Sequence, residues 1–132
     1  MPLTNVLLTR DTMVRTNSGL VPLAKLREGD TVISYDGNSV CLDTVKRISA
    51  AAVESKAIRV ATSNDQTMIC LETQPAIGEP VTVLLDSDTE VGDTTIRSWH
   101  TKAYNDISFS VQTEEHNVLF VGDKGRIMVS VG

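Results

Sequence analysis

The thiol and imidazole groups of this sequence come from four residues, Cys41, Cys70, His100 and His116. A structural zinc site needs about four converging ligands, and its cysteines usually occur in closely spaced pairs. The sequence contains no Cys-x-x-Cys pair and both histidines stand alone, so we expect no metal site and no cofactor site. Both cysteines lie in apolar, strand-like surroundings, which predicts two buried free thiols rather than a disulfide.

Other arrangements that could support catalysis are also weak. No Gly-x-Ser-x-Gly segment is present, and this segment is the local pattern that exposes a nucleophilic serine. The acidic pair Glu114-Glu115 occurs in an acidic chain, where a solvated turn is the usual setting. The segment Gly122-Asp123-Lys124-Gly125 is too short for a phosphate-binding loop and opens no helix, so a hairpin turn is expected there.

Length and charge exclude several classes of protein. The chain has 132 residues, 41% of them hydrophobic, which suits one small domain with a single core. The formal charge is −5, and Lys46-Arg47 is the longest basic cluster, so no nucleic-acid partner is expected. The segment Met1 to Arg10 has one short apolar run and no basic start. We therefore expect a soluble chain with neither a signal peptide nor a membrane span.

Hydrophobic patterning predicts short strands joined by tight turns over the whole chain. Gly19 ends a turn that needs a positive φ, Asp36-Gly37 is a strong hairpin signal, and Ser63–Gln66 is expected to be a second hairpin turn. Ser49–Ala52 is too short for a helix and is predicted to be a connecting loop. The expected strands are 12–16, 31–35, 40–48, 57–62, 67–71, 81–85, 94–99, 107–111, 118–121 and 127–131.

This pattern predicts an all-β fold of many short antiparallel strands and hairpins, without a helical period or an internal repeat. The apolar strand positions define the expected core, which comprises Val14, Leu23, Leu26, Val32, Val60, Ile69, Leu71, Val111, Leu119 and Ile127.

Two segments resemble motifs of the Hint superfamily, the fold of inteins and of hedgehog autoprocessing domains. In the segment from Asp11 to Val32, the positions that match its opening motif are Thr12, Val14, Gly19, Leu23, Leu26, Gly29, Asp30 and Val32. Phe109 to Asn117 is similar to the late motif, in which an aromatic residue precedes a run that closes in His-Asn. The resemblance covers essentially all 132 residues, so it implies one compact Hint-like domain spanning residues 1–132.

The same resemblance implies autoprocessing, but this sequence departs from the motif at the first two chemical steps. An active Hint domain attacks its own preceding carbonyl with a Cys or Ser side chain, and the matching position is Leu7. A Thr-x-x-His segment then supplies an imidazole that protonates the leaving nitrogen. Anchoring that segment on Thr73 puts Ala76 at the histidine, and anchoring it on Pro75 puts Gln74 there.

The later positions depart as well. Ser110 stands where an Asp often follows the late aromatic residue. The final His-Asn of splicing domains corresponds to Val129-Ser130, or to Ser130-Val131 with a one-residue gap, and neither pair can cyclise. His116-Asn117 could be a displaced pair, but it lies inside the late motif. We therefore expect no catalytic residue.

These departures favour a non-catalytic Hint-like module whose partners are other protein chains, in an assembly or by self-association. Edge strands are one contact feature of such a module, and Trp99 and Tyr104 are candidate anchors if they are exposed. Because free-standing Hint-like domains are familiar in phage genomes, the specific expectation is a phage virion component, either capsid-decorating or a neck or tail accessory protein. The alternatives are an autoprocessing domain that uses other residues, a bacterial interaction module, and a folded remnant of an intein.

Overall fold

The computed structural model describes residues 7–71 and 75–131. These residues form one ten-stranded, largely antiparallel sheet system and a single 3-10 turn at Leu23–Lys25. The strands are β1 Leu7–Thr9, β2 Met13–Thr16, β3 Gly19–Pro22, β4 Thr31–Tyr35, β5 Val40–Thr62, β6 Thr67–Leu71, β7 Pro80–Leu84, β8 Val91–Thr113, β9 Val118–Val121 and β10 Ile127–Ser130. The expected all-β class is confirmed. Within the described ranges no helix has the length and apolar character needed to cross a bilayer.

The strand order has a mirrored arrangement, β3-β2-β4-β5-β6 followed by β1-β8-β7-β10-β9. Each half contains a tight hairpin, two further short strands and one long strand of 23 residues, β5 or β8. The two hairpins meet where Val14 of β2 pairs with Val121 of β9. That pairing brings the ends of the strand order together, so the sheet curls around one main core.

The two long strands pair with each other along the middle of the molecule, from Val45 opposite Thr113 to Thr62 opposite Ile96. The register shifts near both ends of this ribbon, so Lys46 and Arg97 have no cross-strand partner. An extra residue in one strand bends that strand and increases its twist. The outer segments of β5 and β8 can therefore leave the ribbon and pair with β4 and β7, respectively.

Nine of the ten expected core residues are buried, and Ile69 is the exception. Ile69 lies between Met68 and Cys70, which are 1% and 0% exposed, so its side chain points to the opposite face of β6. Trp99 and Phe109 are half-buried and pack against the same core. Tyr104 is also half-buried, and its hydroxyl donates a hydrogen bond to the Ile107 carbonyl at 2.5 Å.

The structure corrects two local expectations. Ser49–Ala52 is not a loop, because it lies inside β5 and pairs with Ile107–Ser110 of β8. Alanine has a low β propensity, and here the pairing with an alternating partner strand determines the conformation instead. Neither Cys41 nor Cys70 forms a disulfide, as expected, but only Cys70 is buried, whereas Cys41 is half-buried.

Candidate functional site

Leu7, at the position implied for the nucleophile, begins the short strand β1, which lies between β6 and β8. Leu7 pairs with the buried residue Leu71, and its neighbour Leu8 pairs with Cys70 on one side and Phe109 on the other. The residues around the position that the Hint resemblance implies for the nucleophile are therefore largely aliphatic. Leu7 itself is half-buried and carries no group that could attack a carbonyl.

Cys70 is the cysteine next to Leu7 in the β1–β6 pairing, because it lies opposite Leu8, the residue that follows Leu7. Its side chain is 0% exposed, and burial raises the pKa of this thiol to about 11. The Sγ atom has a weak contact of 3.9 Å with the Ile58 carbonyl oxygen. The thiolate is the nucleophilic form of cysteine, so Cys70 is held in its unreactive form near neutral pH.

Two of the residues considered for the imidazole position, Thr73 and Gln74, lie outside the described residues. The third, Ala76, is exposed in a turn whose backbone is tied to Glu79, since the Ala76 amide donates to the Glu79 carboxylate at 3.1 Å. Pro75 is buried beside that turn. The described part of this segment thus forms a turn, and at the implied histidine position Ala76 has no titratable group.

Ser110 and Ser130 also lie in strand pairing. Ser110 pairs with Ser49 across the central ribbon, so two hydroxyl side chains stand where the resemblance implies a carboxylate. Ser130 pairs with Val118 at the end of β10. The next residue, Val131, is 2% exposed in the main core, and its amide donates to the Asn117 carbonyl at 2.8 Å.

The pair His116-Asn117 forms the corner between β8 and β9. Asn117 has a φ of 54°, a left-handed conformation that asparagine tolerates better than most residues. Its side-chain oxygen accepts a hydrogen bond of 2.8 Å from the Thr113 amide, and its own amide donates to the Thr113 hydroxyl at 2.7 Å. Both the side chain and the backbone of Asn117 are therefore used to hold the turn.

A buried carboxylate, which sequence analysis did not single out, completes this corner. Asp43 is 5% exposed, and its Oδ2 accepts hydrogen bonds from the Thr113 hydroxyl at 2.7 Å and the His116 amide at 2.8 Å. Its Oδ1 accepts from the Thr44 amide at 2.7 Å. Burial by itself raises the pKa of Asp43, but the hydrogen bonds from Thr113, His116, Thr44 and Glu115 together bring it below its ordinary value. The corner is thus organised around a charged group.

The sheet strands around this corner are apolar on both faces. In β9, Leu119 and Val121 belong to the main core, whereas Phe120 belongs to a second cluster on the opposite face. The buried residues of this second cluster are Leu84, Phe120 and Met128, and Ile33, Tyr35, Val40, Val91 and Val118 pack against them. A strand that is buried on both faces has a continuous apolar sequence, and the runs Val118–Val121 and Ile127–Val129 carry that signal.

An open groove of about 610 Å³ lies over the second cluster. Its apolar lining comes from Tyr35, Val91, Val118 and Met128, and its charged lining from Asp36, Asp93 and Glu115, together with His116. We call this feature the acidic groove. The Glu115 carboxylate lies 3.5 Å from Nε2 of the His116 imidazole. Within residues 7–71 and 75–131, no three His, Cys, Asp or Glu side chains are grouped so that they could hold a metal ion.

Comparisons with solved structures identify the architecture. The chain superimposes on the DnaB intein from Synechocystis sp. PCC 6803 with a TM-score of 0.81 and 11% identity, covering 97% of this chain and 99% of the intein. It superimposes on an intein from a hyperthermophile with a TM-score of 0.78 and 13% identity, covering 96% and 100%. The match to the bacterial intein-like domain from Clostridium thermocellum has a TM-score of 0.72 and 16% identity, covering 96% and 98%.

The chain has the Hint fold. No protein-family model and no curated protein sequence matches it. At identities of 10–16% the likeness to inteins concerns the backbone path of the Hint fold and not its chemistry. The chemistry has to be argued from the side chains of this chain.

Proposed function

We propose that this chain is a Hint-fold module that does not splice or cleave itself and instead works by binding other protein chains. The observation that carries the proposal is the pairing of Leu7 with Leu71, because the position implied for the nucleophile is an aliphatic side chain on an aliphatic neighbour. The use of Asn117 to hold a corner supports the same conclusion, since its carbonyl is bonded to the Val131 amide.

A residual cleavage activity would need a nucleophile from elsewhere in the chain. Cys70 is buried with a raised pKa, and Ser130 has a neutral hydroxyl that would need a general base to become nucleophilic. The imidazole of His116 contacts the Glu115 carboxylate at 3.5 Å, and Ser130 pairs with Val118 in the β9–β10 hairpin. These contacts favour the binding module over an autoprocessing domain that uses other residues.

The more specific form of the proposal is a phage virion component, either capsid-decorating or a neck or tail accessory protein. It is supported by the combination of the Hint fold with a leucine at the implied nucleophile position, a glutamine or alanine at the implied histidine position and a serine at the implied carboxylate position. A protein selected for its shape in an assembly retains the fold-determining residues and has no need for the chemical ones. A bacterial interaction module has the same physical properties and differs in its partner.

Intact-mass spectrometry tests the absence of processing. The chain is placed between two folded carrier proteins and incubated for days, with and without a thiol or hydroxylamine. We expect only the full-length mass. A splicing intein in the same carriers is the positive control, and the double variant Leu7→Cys with Gln74→His is the matched variant that returns two missing groups. A fragment that separates at Leu7 or next to Ser130 in the unmodified chain, and that Ser130→Ala abolishes, would establish autoprocessing instead.

Co-sedimentation with particles purified from the native source tests the virion form of the proposal. We expect the chain to remain with the particles through a density gradient, in a fixed ratio to their major proteins. A chain found only as a free monomer would contradict the virion role.

A further inference from the structure

The acidic groove combines an apolar floor with a rim of one charge sign. Met128 is 2% exposed at the base of the groove, and Tyr35, Val91 and Val118 are half-buried around it. Asp36, Asp93 and Glu115 are exposed along the rim. Among the described residues that line the groove, none is Lys or Arg. Its volume of about 610 Å³ lies within the usual range for ligand sites.

A neighbouring depression extends the same surface. It has a volume of about 400 Å³, shares Tyr35 and Val91 with the acidic groove, and adds Glu90 as a fourth carboxylate. Arg126, which lies near Met128 in sequence, is occupied elsewhere, because its guanidinium bonds Asp88 at 2.7 Å and the Leu85 carbonyl at 2.5 Å. The excess negative charge over the groove is therefore not neutralised by this side chain.

The rim charges are held in place by the fold. The Asp36 carboxylate accepts hydrogen bonds from the Asn38 amide at 2.7 Å and the Ser39 amide at 2.8 Å. The amide of Ser39 and then that of Asn38 lower the pKa of Asp36, so it stays ionised into the acid range. Glu115 immediately precedes His116 in the corner that Asp43 fixes, and Asp93 pairs with Thr82 of β7. The charges come from three separate parts of the chain and converge on one opening.

We propose that the acidic groove binds a short segment of a partner protein in which Lys or Arg side chains flank an apolar side chain. The apolar side chain is buried against Met128, Val118 and Val91, and the flanking cations pair with the rim carboxylates. The ring of Tyr35 offers a further favourable surface for a cation. This inference rests on the proposed function, since it names the chemistry of the partner that the binding module recognises.

Charge and shape together select this occupant over others. Nucleic acid and anionic lipid would meet three carboxylates at the opening, which repel phosphate. A free polyamine would satisfy the rim and leave the apolar floor in contact with water. A peptide that carries both kinds of side chain matches both parts of the groove.

Peptide binding measured by fluorescence anisotropy tests the proposal on the full chain. The probe is a labelled, capped Leu-Arg-Leu-Arg-Leu peptide, and its two controls replace both Arg by Glu or all three Leu by Ser. We expect saturable binding of the probe with one site per chain, and at least tenfold weaker binding of each control. Raising the ionic strength from about 0.05 to 0.3 M should weaken probe binding further, because the rim is exposed and screened by salt.

A pair of double variants assigns the binding to this groove. Asp93→Asn with Glu115→Gln removes two rim charges, and Glu28→Gln with Glu54→Gln removes two exposed charges outside the groove lining. We expect the first pair to weaken probe binding about tenfold and the second pair to leave it within a factor of two. Thermal unfolding of both pairs checks that the fold is retained, since all four side chains are exposed.

Three results would overturn the groove assignment. These are no saturable binding of the probe up to millimolar concentration, equal binding of the Arg and Glu peptides, and equal effects of the two double variants. In each case, if mass spectrometry still finds only the full-length chain, the proposal that the chain does not process itself is unaffected. Self-cleavage of the chain would reject the proposed function while leaving peptide binding to be judged by its own measurement.

Discussion

Substitution of Asp43 is the sharpest test of how the corner at His116-Asn117 is held. Three of its hydrogen bonds come from groups on two separate segments, namely the Thr113 hydroxyl, the His116 amide and the Thr44 amide. The change Asp43→Ala removes the acceptor and leaves these donors in place. Because Asp43 is 5% exposed, water has little access to replace it.

The expected cost follows from the donors that lose their partner. A buried donor without an acceptor costs about 1–3 kcal/mol, and hydrogen bonds to a charged group lie toward the upper part of that range. The bond from the Thr113 hydroxyl is buried and the bond from the His116 amide is partly buried, so Asp43→Ala should reduce the free energy of unfolding by about 2–5 kcal/mol. The isosteric change Asp43→Asn keeps one acceptor oxygen and should cost about 1–3 kcal/mol. Either loss is large beside a typical domain stability of about 5–15 kcal/mol.

The effect should also depend on pH in a defined direction. The pKa of Asp43 is below its ordinary value in the folded chain, despite the opposing effect of burial. A carboxylate of this kind contributes stability above its unfolded pKa of about 3.9, and that contribution is lost as the pH falls through the folded pKa. The difference between the native chain and Asp43→Asn should therefore be constant from about pH 5 to 8 and shrink below about pH 4.

Urea unfolding followed by circular dichroism, repeated between pH 3 and 8, measures these differences. Asp93→Ala is the matched control, because it removes an exposed carboxylate whose contact with the Thr82 hydroxyl is 3.4 Å, and it should change stability by less than about 0.5 kcal/mol. A loss below about 0.5 kcal/mol for Asp43→Ala would refute the assignment of a structural carboxylate. A loss that does not vary with pH would refute its charged state.

The fold was largely predictable because turn chemistry and alternation act locally. Gly19 has a φ of 109° in the β2–β3 turn, as its position after Asn17-Ser18 indicates. The hairpin of β5 and β6 pairs Ala61 with Thr67 across the predicted turn. In each case a few adjacent residues determine the backbone path, so the sequence pattern is sufficient.

The length of the central ribbon could not be predicted for the opposite reason. The exposed residues Ser49–Ala52 have no strong strand preference and are extended because Ile107–Ser110 pairs with them from far along the chain. The bulges at Lys46 and Arg97 likewise depend on where the long strands leave one another. The length of the ribbon and the positions of its bulges are determined by pairing between segments that are distant in sequence. A short stretch of sequence therefore does not predict them.

In the candidate site, too, some features follow from local sequence and others depend on pairing between distant segments. The aliphatic character of Leu7 follows from its residue type alone, whereas the role of Asp43 needs the pairing that brings Thr113 beside it. A charged residue inside the strand Val40–Ile48 was a signal that could have identified Asp43. The acidic groove was harder to predict, because its rim residues Asp36 and Glu115 come from turns that are distant in sequence.

Two further predictions concern thiols and glycines. Burial raises the pKa of Cys70 to about 11, so an aromatic disulfide reagent at pH 8 should react with the half-buried Cys41 first, and with Cys70 only when urea unfolds the chain. Two fast thiols in the native chain would contradict this burial. Gly122 and Gly19 both have a φ of 109°, but a Cβ at Gly122 would lie 2.5 Å from the Thr67 carbonyl oxygen, whereas one at Gly19 meets nothing within 4 Å. Calorimetry should therefore show a loss of about 1 kcal/mol for Gly19→Ala, from backbone strain alone, and at least about 2 kcal/mol for Gly122→Ala, since the backbone of β6 must also move. Equal losses would mean that this turn is not packed against β6.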